Sequence, residues 1–274
     1  MFRHAALAFG LFITTPALAG GTASPAPPPE PVVDLSELPG STLERPLNQD
    51  GEPHQVQAQL LVDHAAAQPG DTVRIGLHLT QDKDWHTYYR WWGGMIGLPT
   101  EVQWTVPEGW NASDIAFPLP QRFEQSDLVS FGYEDKVLLI SELQVPSDAA
   151  PGAYPIALSA NWLVCKEQCI PGEVKELSTT LEVAEARRAN GTTELFDHYE
   201  ARLPQPITEF ADVAVEFALS SSAVRPYDTF KAAVLVNPIG DATIEWAGEQ
   251  GPWPAFTASS SFDWMLLDLS LIHI

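Results

Sequence analysis

The sequence contains few cysteines and few positive charges, and both shortages exclude whole classes of protein. Only 2 of the 274 residues are cysteines, which excludes a disulfide-dense scaffold and any zinc or iron–sulfur site built from four cysteines. Lysine and arginine number 14 against 36 aspartates and glutamates, so the formal net charge is −22 at pH 7. Because such a surface repels phosphates and anionic lipid headgroups, neither a nucleic acid nor a membrane surface is an expected partner.

Common catalytic and cofactor motifs are also missing. The sequence has no Gly-Lys-Ser/Thr phosphate loop and no Gly-x-Ser-x-Gly nucleophile elbow, so nothing supports a nucleotide-binding protein or a hydrolase. The acidic residues are scattered and indicate a solvated surface rather than a general acid/base pair. We therefore expect no bound cofactor.

The first 19 residues have the features of a signal peptide. Arg3 and His4 form a short basic start, residues 5–13 are mostly apolar, and Ala-Leu-Ala at 17–19 fits a small-x-small cleavage site. No other stretch reaches the roughly 18 apolar residues that are needed to span a bilayer. The sequence therefore predicts an exported protein in a compartment where disulfides persist.

The hydrophobic pattern after the leader is typical of short β-strands. Apolar and polar residues alternate in 55–60 and 73–79, the period of two that marks a half-buried strand. Proline and glycine turns separate further predicted strands at 101–106, 136–143, 154–163 and 176–183. This pattern predicts an all-β antiparallel sandwich, with aromatic residues available to fill the space between its sheets: Trp85, Tyr88, Trp104 and Trp162.

Composition divides the chain into five segments. They are a signal peptide, a Pro-rich linker, a redox domain, a helical linker and a second β-rich domain, at 1–19, 20–50, 51–187, 188–208 and 209–274. Within the fourth segment, residues 192–203 carry apolar side chains at the three-to-four spacing of a helix. The last segment is short for a β-sandwich of about 100 residues, and we expect it to be incomplete.

The two cysteines, Cys165 and Cys169, lie close together in the sequence. In a straight strand their Cα atoms would be about 13 Å apart, whereas a disulfide requires less than about 7 Å. A disulfide between them therefore needs a turn or bulge through 166–168. The entropy of closing a five-residue ring is worth only about 2 kcal/mol. Small accessible rings suit reversible thiol exchange better than they suit a structural staple.

Charges near the pair affect its reactivity in opposite directions. Lys166 favours a thiolate, whereas Glu167 and Glu173 disfavour one. Exchange requires one thiolate to attack and one thiol to resolve the mixed disulfide. The sequence leaves open which cysteine attacks.

Two other interpretations of the pair remain open. One is an inert structural disulfide, and the other is a copper site, because Cys-x3-Cys-Ile-Pro is similar to the Cys-x3-Cys-Pro of Sco-type copper chaperones. Two thiolates and the imidazole of His86 would suit copper, but the βαβ pattern of those thioredoxin-like proteins is missing. The ordinary role for His86 is to pack in the core or to anchor a loop. Trp91, Trp92 and Met95 are either core residues or an exposed docking patch.

Four motifs resemble the periplasmic N-terminal region of the DsbD family of thiol:disulfide interchange proteins, in the branch of the suppressor-of-copper-sensitivity membrane reductases. They occur in the family's order within residues 54–185 and are WHTYY at 85–89, GLPT at 97–100, FGYE at 131–134 and WLVCKEQCIP at 162–171. The cysteine string is the specific one. Its spacing of three intervening residues is shorter than in the best-known members of the family.

The resemblance implies an immunoglobulin-like domain whose cysteine pair shuttles between dithiol and disulfide. The pair would accept electrons from a membrane-embedded reductase domain. It would pass them to oxidised periplasmic thioredoxin-fold proteins, such as disulfide isomerases, cytochrome-maturation reductases or peroxide-reducing proteins. The transmembrane conduit and the C-terminal thioredoxin-like domain of the family are missing from these 274 residues. The resemblance therefore implies a periplasmic protein-disulfide reductase module of a longer protein anchored in the inner membrane.

The resemblance also assigns roles to individual residues. In the best-known members a cap loop with an aromatic residue shields the cysteines, and Phe131 and Tyr133 are its counterparts here. Trp162, His86 and Pro171 are the neighbours of the cysteines within the shared motifs. No metal ligand is expected among them.

Overall fold

Alternating apolar residues build two β-sheets that pack face to face. The computed structural model describes residues 30–33, 35, 43–90, 97–125, 128–204, 213–219 and 232–238. The predicted signal peptide and the docking patch at Trp91, Trp92 and Met95 lie outside these described residues, as does most of the predicted Pro-rich linker.

Most of the described chain is extended, with one short helix. In chain order the elements are β1 (Leu43–Glu44), β2 (Val56–Val62), β3 (His64–Ala67), β4 (Thr72–Gln81), β5 (His86–Tyr88), β6 (Glu101–Thr105), β7 (Asn111–Ala112), β8 (Gln121–Gln125), β9 (Leu128–Glu134), β10 (Lys136–Gln144), β11 (Gly152–Cys165), β12 (Cys169–Val183), β13 (Arg188–Ala189), α1 (Thr193–Glu200), β14 (Val213–Leu219) and β15 (Ala232–Pro238).

The strands form two large sheets. The first has the order β1-β2-β4-β10-β7, and its strands pair antiparallel. The second has the order β13-β3-β12-β11-β5-β9-β8, with β6 also paired to β11, and all its pairs are antiparallel except β3 with β12. The predicted all-β antiparallel sandwich is therefore confirmed.

The core lies between the two sheets and follows from the alternation in the sequence. Fully buried aliphatic side chains come from both sheets, among them Leu60, Leu77, Leu139, Ile156 and Leu177. Burial of each such side chain is worth about 1.5–3 kcal/mol. Of the aromatic residues expected there, Trp162 belongs to the core and both Trp85 and Trp104 pack against it. Tyr88 is buried as well, at 4% exposure, but it lies at the disulfide rather than in this cluster.

Helix α1 packs onto the sandwich. Its buried residues are Leu195, Phe196 and Tyr199, which realise the helical spacing predicted in 192–203. Arg74 of β4 ties the helix down, because its guanidinium lies 2.7 Å from carboxylate oxygens of both Asp197 and Glu200. The helix therefore completes the sandwich core.

Beyond the helix, the structure describes one antiparallel hairpin. β14 and β15 pair from Val213 with Pro238 to Leu219 with Ala232, within the segment predicted to be β-rich. In the described part of the chain, no helix is both long enough and apolar enough to cross a membrane.

Candidate functional site

The two cysteines lie at the end of a long antiparallel hairpin formed by β11 and β12. Cys165 ends β11, Cys169 begins β12, and the two face each other in register. The chain reverses through 166–168, where the backbone N–H of Lys166 donates to the carbonyl of Gln168 at 3.1 Å. The cysteine Cα atoms are 4.1 Å apart and the sulfurs are bonded. The turn that the spacing requires is therefore present, and the pair forms an intramolecular disulfide.

The two cysteines differ in accessibility. Cys165 is only 3% exposed, because β5 pairs with β11 at this end and sets His86 opposite Cys165. Cys169 is exposed, since in the described residues β12 pairs with β11 alone at this end. Thiol–disulfide exchange needs access to the attacked sulfur. An incoming thiolate therefore meets the Cys169 side of the disulfide.

Three rings form the surroundings of the disulfide on the outer face of the second sheet. His86 stacks on Phe123 with ring centroids 4.4 Å apart and meets Tyr88 edge-on at 5.3 Å. The hydroxyl of Tyr88 lies 3.9 Å from Sγ of Cys169, within hydrogen-bonding distance for sulfur. His86, Tyr88 and Phe123 are called the aromatic cluster below.

Burial keeps the titratable members of the aromatic cluster uncharged. It lowers the pKa of His86 and raises the pKa of Tyr88, because a low-dielectric environment disfavours the charged form of each group. At neutral pH His86 is therefore a neutral imidazole and Tyr88 a phenol. The Tyr88 hydroxyl can donate to a thiolate that forms at Cys169.

Phe131 and Tyr133, the two residues expected to shield the cysteines, lie on the face of the second sheet opposite to the disulfide. In β9, Glu134 and Gly132 face His86 and Tyr88, so the period of two turns Phe131 and Tyr133 the other way. Both are buried, at 4% and 6% exposure, and the Tyr133 hydroxyl donates to the carbonyl of Pro118 at 2.6 Å. The structure thus packs these rings inward and brings neither of them to the two sulfurs.

Of the aromatic cluster, the sequence motifs place only His86 beside the cysteines. The strand pattern predicts Tyr88 between the two sheets, and it gives Phe123 no role at the site. A signal existed for Tyr88, because residues two apart on a strand share a face and His86 belongs to the cysteine motifs. Phe123 carried no such signal, since only the pairing of β8 with β9 brings it to His86.

The inner face of the hairpin is packed beneath the cysteines. Trp162 is 3% exposed and meets the ring of buried His54 edge-on at 5.8 Å. Gly172 faces Trp162 in register, and a Cβ added there would lie 2.3 Å from the indole Nε1. Only glycine lets the tryptophan sit this close to β12. Pro171, the remaining motif neighbour, lies exposed on the outer face.

The charges beside the turn partly cancel one another. Lys166 forms an exposed ion pair with Asp84, with Nζ 2.9 Å from the carboxylate, and its hydrogen bond lowers the pKa of Asp84. Glu167 and Glu173 are exposed to solvent. The positive charge of Lys166 is therefore shared with Asp84 rather than directed at the cysteines alone.

His86 lies opposite Cys165 on the neighbouring strand, next to the cysteines as the shared motifs imply. No group of three histidine, cysteine, aspartate or glutamate side chains in the described ranges is arranged to hold a metal ion. His86 with the two cysteines therefore does not form such a cluster in this disulfide-bonded state.

Comparisons with known proteins bear on residues 57–181, which match the family described as thiol:disulfide interchange protein DsbD, N-terminal. The matched segment contains both cysteines and all strands from β3 to β11. Among solved structures, the chain is similar to the N-terminal periplasmic domain of ScsB from Proteus mirabilis. The identity is 18% and the TM-score 0.41, and the match covers 70% of this chain and 84% of that one. A search of curated proteins gives no significant match.

Proposed function

We propose, on the premise that residues 57–181 carry a domain of the DsbD N-terminal family, that this chain is a periplasmic thiol–disulfide exchange module. It relays electrons through Cys165 and Cys169 from a membrane-embedded reductase domain to oxidised thioredoxin-fold proteins. One observation carries the proposal: the disulfide joins a buried cysteine to an exposed one at the end of a hairpin. The leader at 1–19 supports export to the periplasm.

Electron delivery takes two steps in this scheme. The thiolate of reduced Cys169 attacks the disulfide of the oxidised partner, forming a mixed disulfide and releasing one partner sulfur as a thiolate. The thiolate of Cys165 then attacks Cys169, which forms the intramolecular disulfide and releases the second partner sulfur. Two electrons pass to the partner, and its two thiolates take up protons from solvent.

Recharging runs the same chemistry in reverse. A thiolate of the donor domain attacks Cys169 because Cys165 is covered by β5. The Cys165 thiolate leaves, and the second donor thiol resolves the mixed disulfide. The donor ends oxidised and this chain ends as a dithiol. The same exposed sulfur thus serves both partners in turn.

Tyr88 assists the first step of delivery, the attack by Cys169. Its hydroxyl near Sγ of Cys169 stabilises the thiolate that attacks in delivery, and so lowers the pKa of that thiol. The shielding role of Phe131 and Tyr133 stays a prediction. Because both rings pack inward, we propose that they act by supporting β9 beneath the aromatic cluster.

A thiol count across graded redox buffers tests the proposal. The oxidised chain is equilibrated with glutathione or dithiothreitol mixtures, and free thiols are alkylated and counted by mass. We expect a potential that allows donation to periplasmic thioredoxin-fold partners. A value well below about −300 mV would identify an inert structural disulfide and overturn the exchange function.

A further inference from the structure

A groove with a volume of about 1050 Å³ lies along the β11–β12 hairpin, and its lining begins two residues from the disulfide, at Leu163 and Pro171. Its floor follows the register of the β11–β12 hairpin. Leu163 faces Pro171 one step beyond the cysteines, and Asn161 faces Glu173 one step further. At about 3.3 Å per residue, these steps lie about 7 Å and 13 Å from Cys169. Side chains of defined chemistry are therefore set at fixed distances from the reactive sulfur.

The wall of the groove exposes apolar side chains. Leu47 and Leu98 both line it, and they are 67% and 59% exposed. Exposed apolar side chains that line one groove rimmed by polar residues are typical of an interaction site. Together with Leu163 and Pro171, which lie two residues from the cysteines, they make up the apolar part of the lining.

The lining of the groove is also acidic. Glutamates line it at positions 44, 101, 173 and 176, against a single lysine at 175. Asn161 faces Glu173 on one side and Glu101 of β6 on the other, and the Glu101 carboxylate lies 3.4 Å from the Asn161 amide nitrogen. The negative charge therefore continues from β12 across β11 to β6. A concave surface lined with charge of one sign attracts and orients a partner of the opposite sign.

We propose that this groove docks the redox partner and selects for a basic one. The preferred partner presents an apolar side chain about 7 Å from its reactive cysteine and lysine or arginine about 13 Å from it. The inference rests on the proposed exchange function and adds the chemistry of the partner. A second copy of this chain is not the occupant, because its charge of −22 would repel the acidic groove.

Peptide disulfides test the docking directly. Three extended peptides carry a cysteine activated as its 2-pyridyl disulfide, a leucine two residues on, and a pair of lysines, glutamines or glutamates from the fourth. Attack by Cys169 on the peptide sulfur releases pyridine-2-thione, which is followed by absorbance, and Cys165 then releases the peptide thiol. We expect the reduced chain to react about tenfold faster with the lysine peptide than with the glutamate peptide at low salt.

Salt and charge variants locate the effect. The preference collapses near 1 M salt, where the screening length is about 3 Å. Neutralising the groove with Glu101→Gln, Glu173→Gln and Glu176→Gln removes most of it. The control neutralises three exposed acids outside the groove, Glu108→Gln, Glu142→Gln and Asp148→Asn, and keeps it. Rates with the glutamine peptide correct for any change in thiol reactivity.

The outcomes separate this inference from the proposed function. If no peptide and no small 2-pyridyl disulfide reacts, the exchange function itself fails. If lysine and glutamate peptides react equally, or if both triple variants lose the preference alike, exchange stands and the docking groove is overturned. Dimerisation of the chain that is abolished by the groove variants, measured by sedimentation, would also overturn it by assigning the groove to a second copy.

Discussion

The two faces of the β11–β12 hairpin differ in burial and in chemistry. On the inner face Trp162, Val164 and Val174 are buried in the sandwich core. On the outer face the same strands present the disulfide and the exposed Pro171. The comparison shows how a rigid, packed face holds a reactive face in position, since side chains two residues apart share a face and adjacent ones do not.

The largest expected effect is a difference in partner trapping between variants of the two cysteines. Cys165→Ala leaves the exposed thiol able to attack but removes the resolving thiol, so a mixed disulfide with an oxidised thioredoxin-fold partner accumulates. Cys169→Ala leaves only the buried thiol, so no mixed disulfide forms. Non-reducing electrophoresis followed by mass spectrometry measures both. Equal trapping by the two variants would contradict the assignment of Cys169 as the exchanging sulfur.

The second expected effect is on the pH dependence of the free energy of unfolding, which we expect to come from the packed sandwich more than from the face with the disulfide. His78 of β4 is buried, which lowers its pKa to about 4, against about 6.5 in the unfolded chain. Between these values the unfolded state binds more protons, so the free energy of unfolding falls as the pH drops from 6.5 to 4, by about 3 kcal/mol. His78→Gln flattens this slope in urea unfolding measured across that range.

His86 of the aromatic cluster provides the matched control for this pH effect. Burial lowers its pKa as well, but it is less deeply buried than His78. His86→Gln therefore removes a smaller part of the slope. A larger flattening by His86→Gln than by His78→Gln would place the pH sensitivity at the redox face instead.

The third expected effect is on the inner face of the hairpin. Gly172→Ala drives a methyl group into Trp162, because the added Cβ would lie 2.3 Å from Nε1, and overpacking of this kind costs about 1–3 kcal/mol of unfolding free energy. Gly152→Ala on β11 is the control, since its Cβ would make only an ordinary contact at 3.9 Å with Tyr154. A fall in the urea midpoint for Gly172→Ala alone checks the prediction, and equal midpoints count against it.

The smallest expected effect compares two tyrosine hydroxyls, one on each side of the sheet. Tyr88→Phe removes the hydroxyl near Sγ of Cys169, so the thiolate pKa rises and exchange slows about threefold, the worth of one modest hydrogen bond. Tyr133→Phe removes a hydroxyl bonded to Pro118 in the core and lowers stability by about 1 kcal/mol. Its exchange rate stays unchanged.

The pH dependence of alkylation of the reduced chain measures the tyrosine comparison. A shift of the Cys169 thiol pKa in Tyr88→Phe, absent in Tyr133→Phe, is the expected result. A shift in Tyr133→Phe that is absent in Tyr88→Phe would instead support shielding of the cysteines by Tyr133, the role that the family resemblance implies.

Strand positions and the cysteine motif were predictable because both depend on short-range patterns. Alternation in 73–79 predicts β4, and the four-residue cysteine spacing requires the turn at 166–168. Tyr88 is buried, although on the face that carries the disulfide, since alternation shows which residues share a face and not which face turns inward. That choice depends on β5 pairing between β11 and β9.

The sequence by itself therefore determined the all-β class, the positions of the main strands and the turn that a disulfide between the two cysteines requires, since each follows from local spacing and side-chain type. The tertiary structure decided which cysteine is exposed, which rings surround the disulfide and where the acidic groove runs. These features depend on pairing between strands far apart in the chain. Strand β5 pairs with β11 beside the disulfide. This pairing buries Cys165 and brings the Tyr88 hydroxyl to Sγ of Cys169, while Cys169 itself stays exposed.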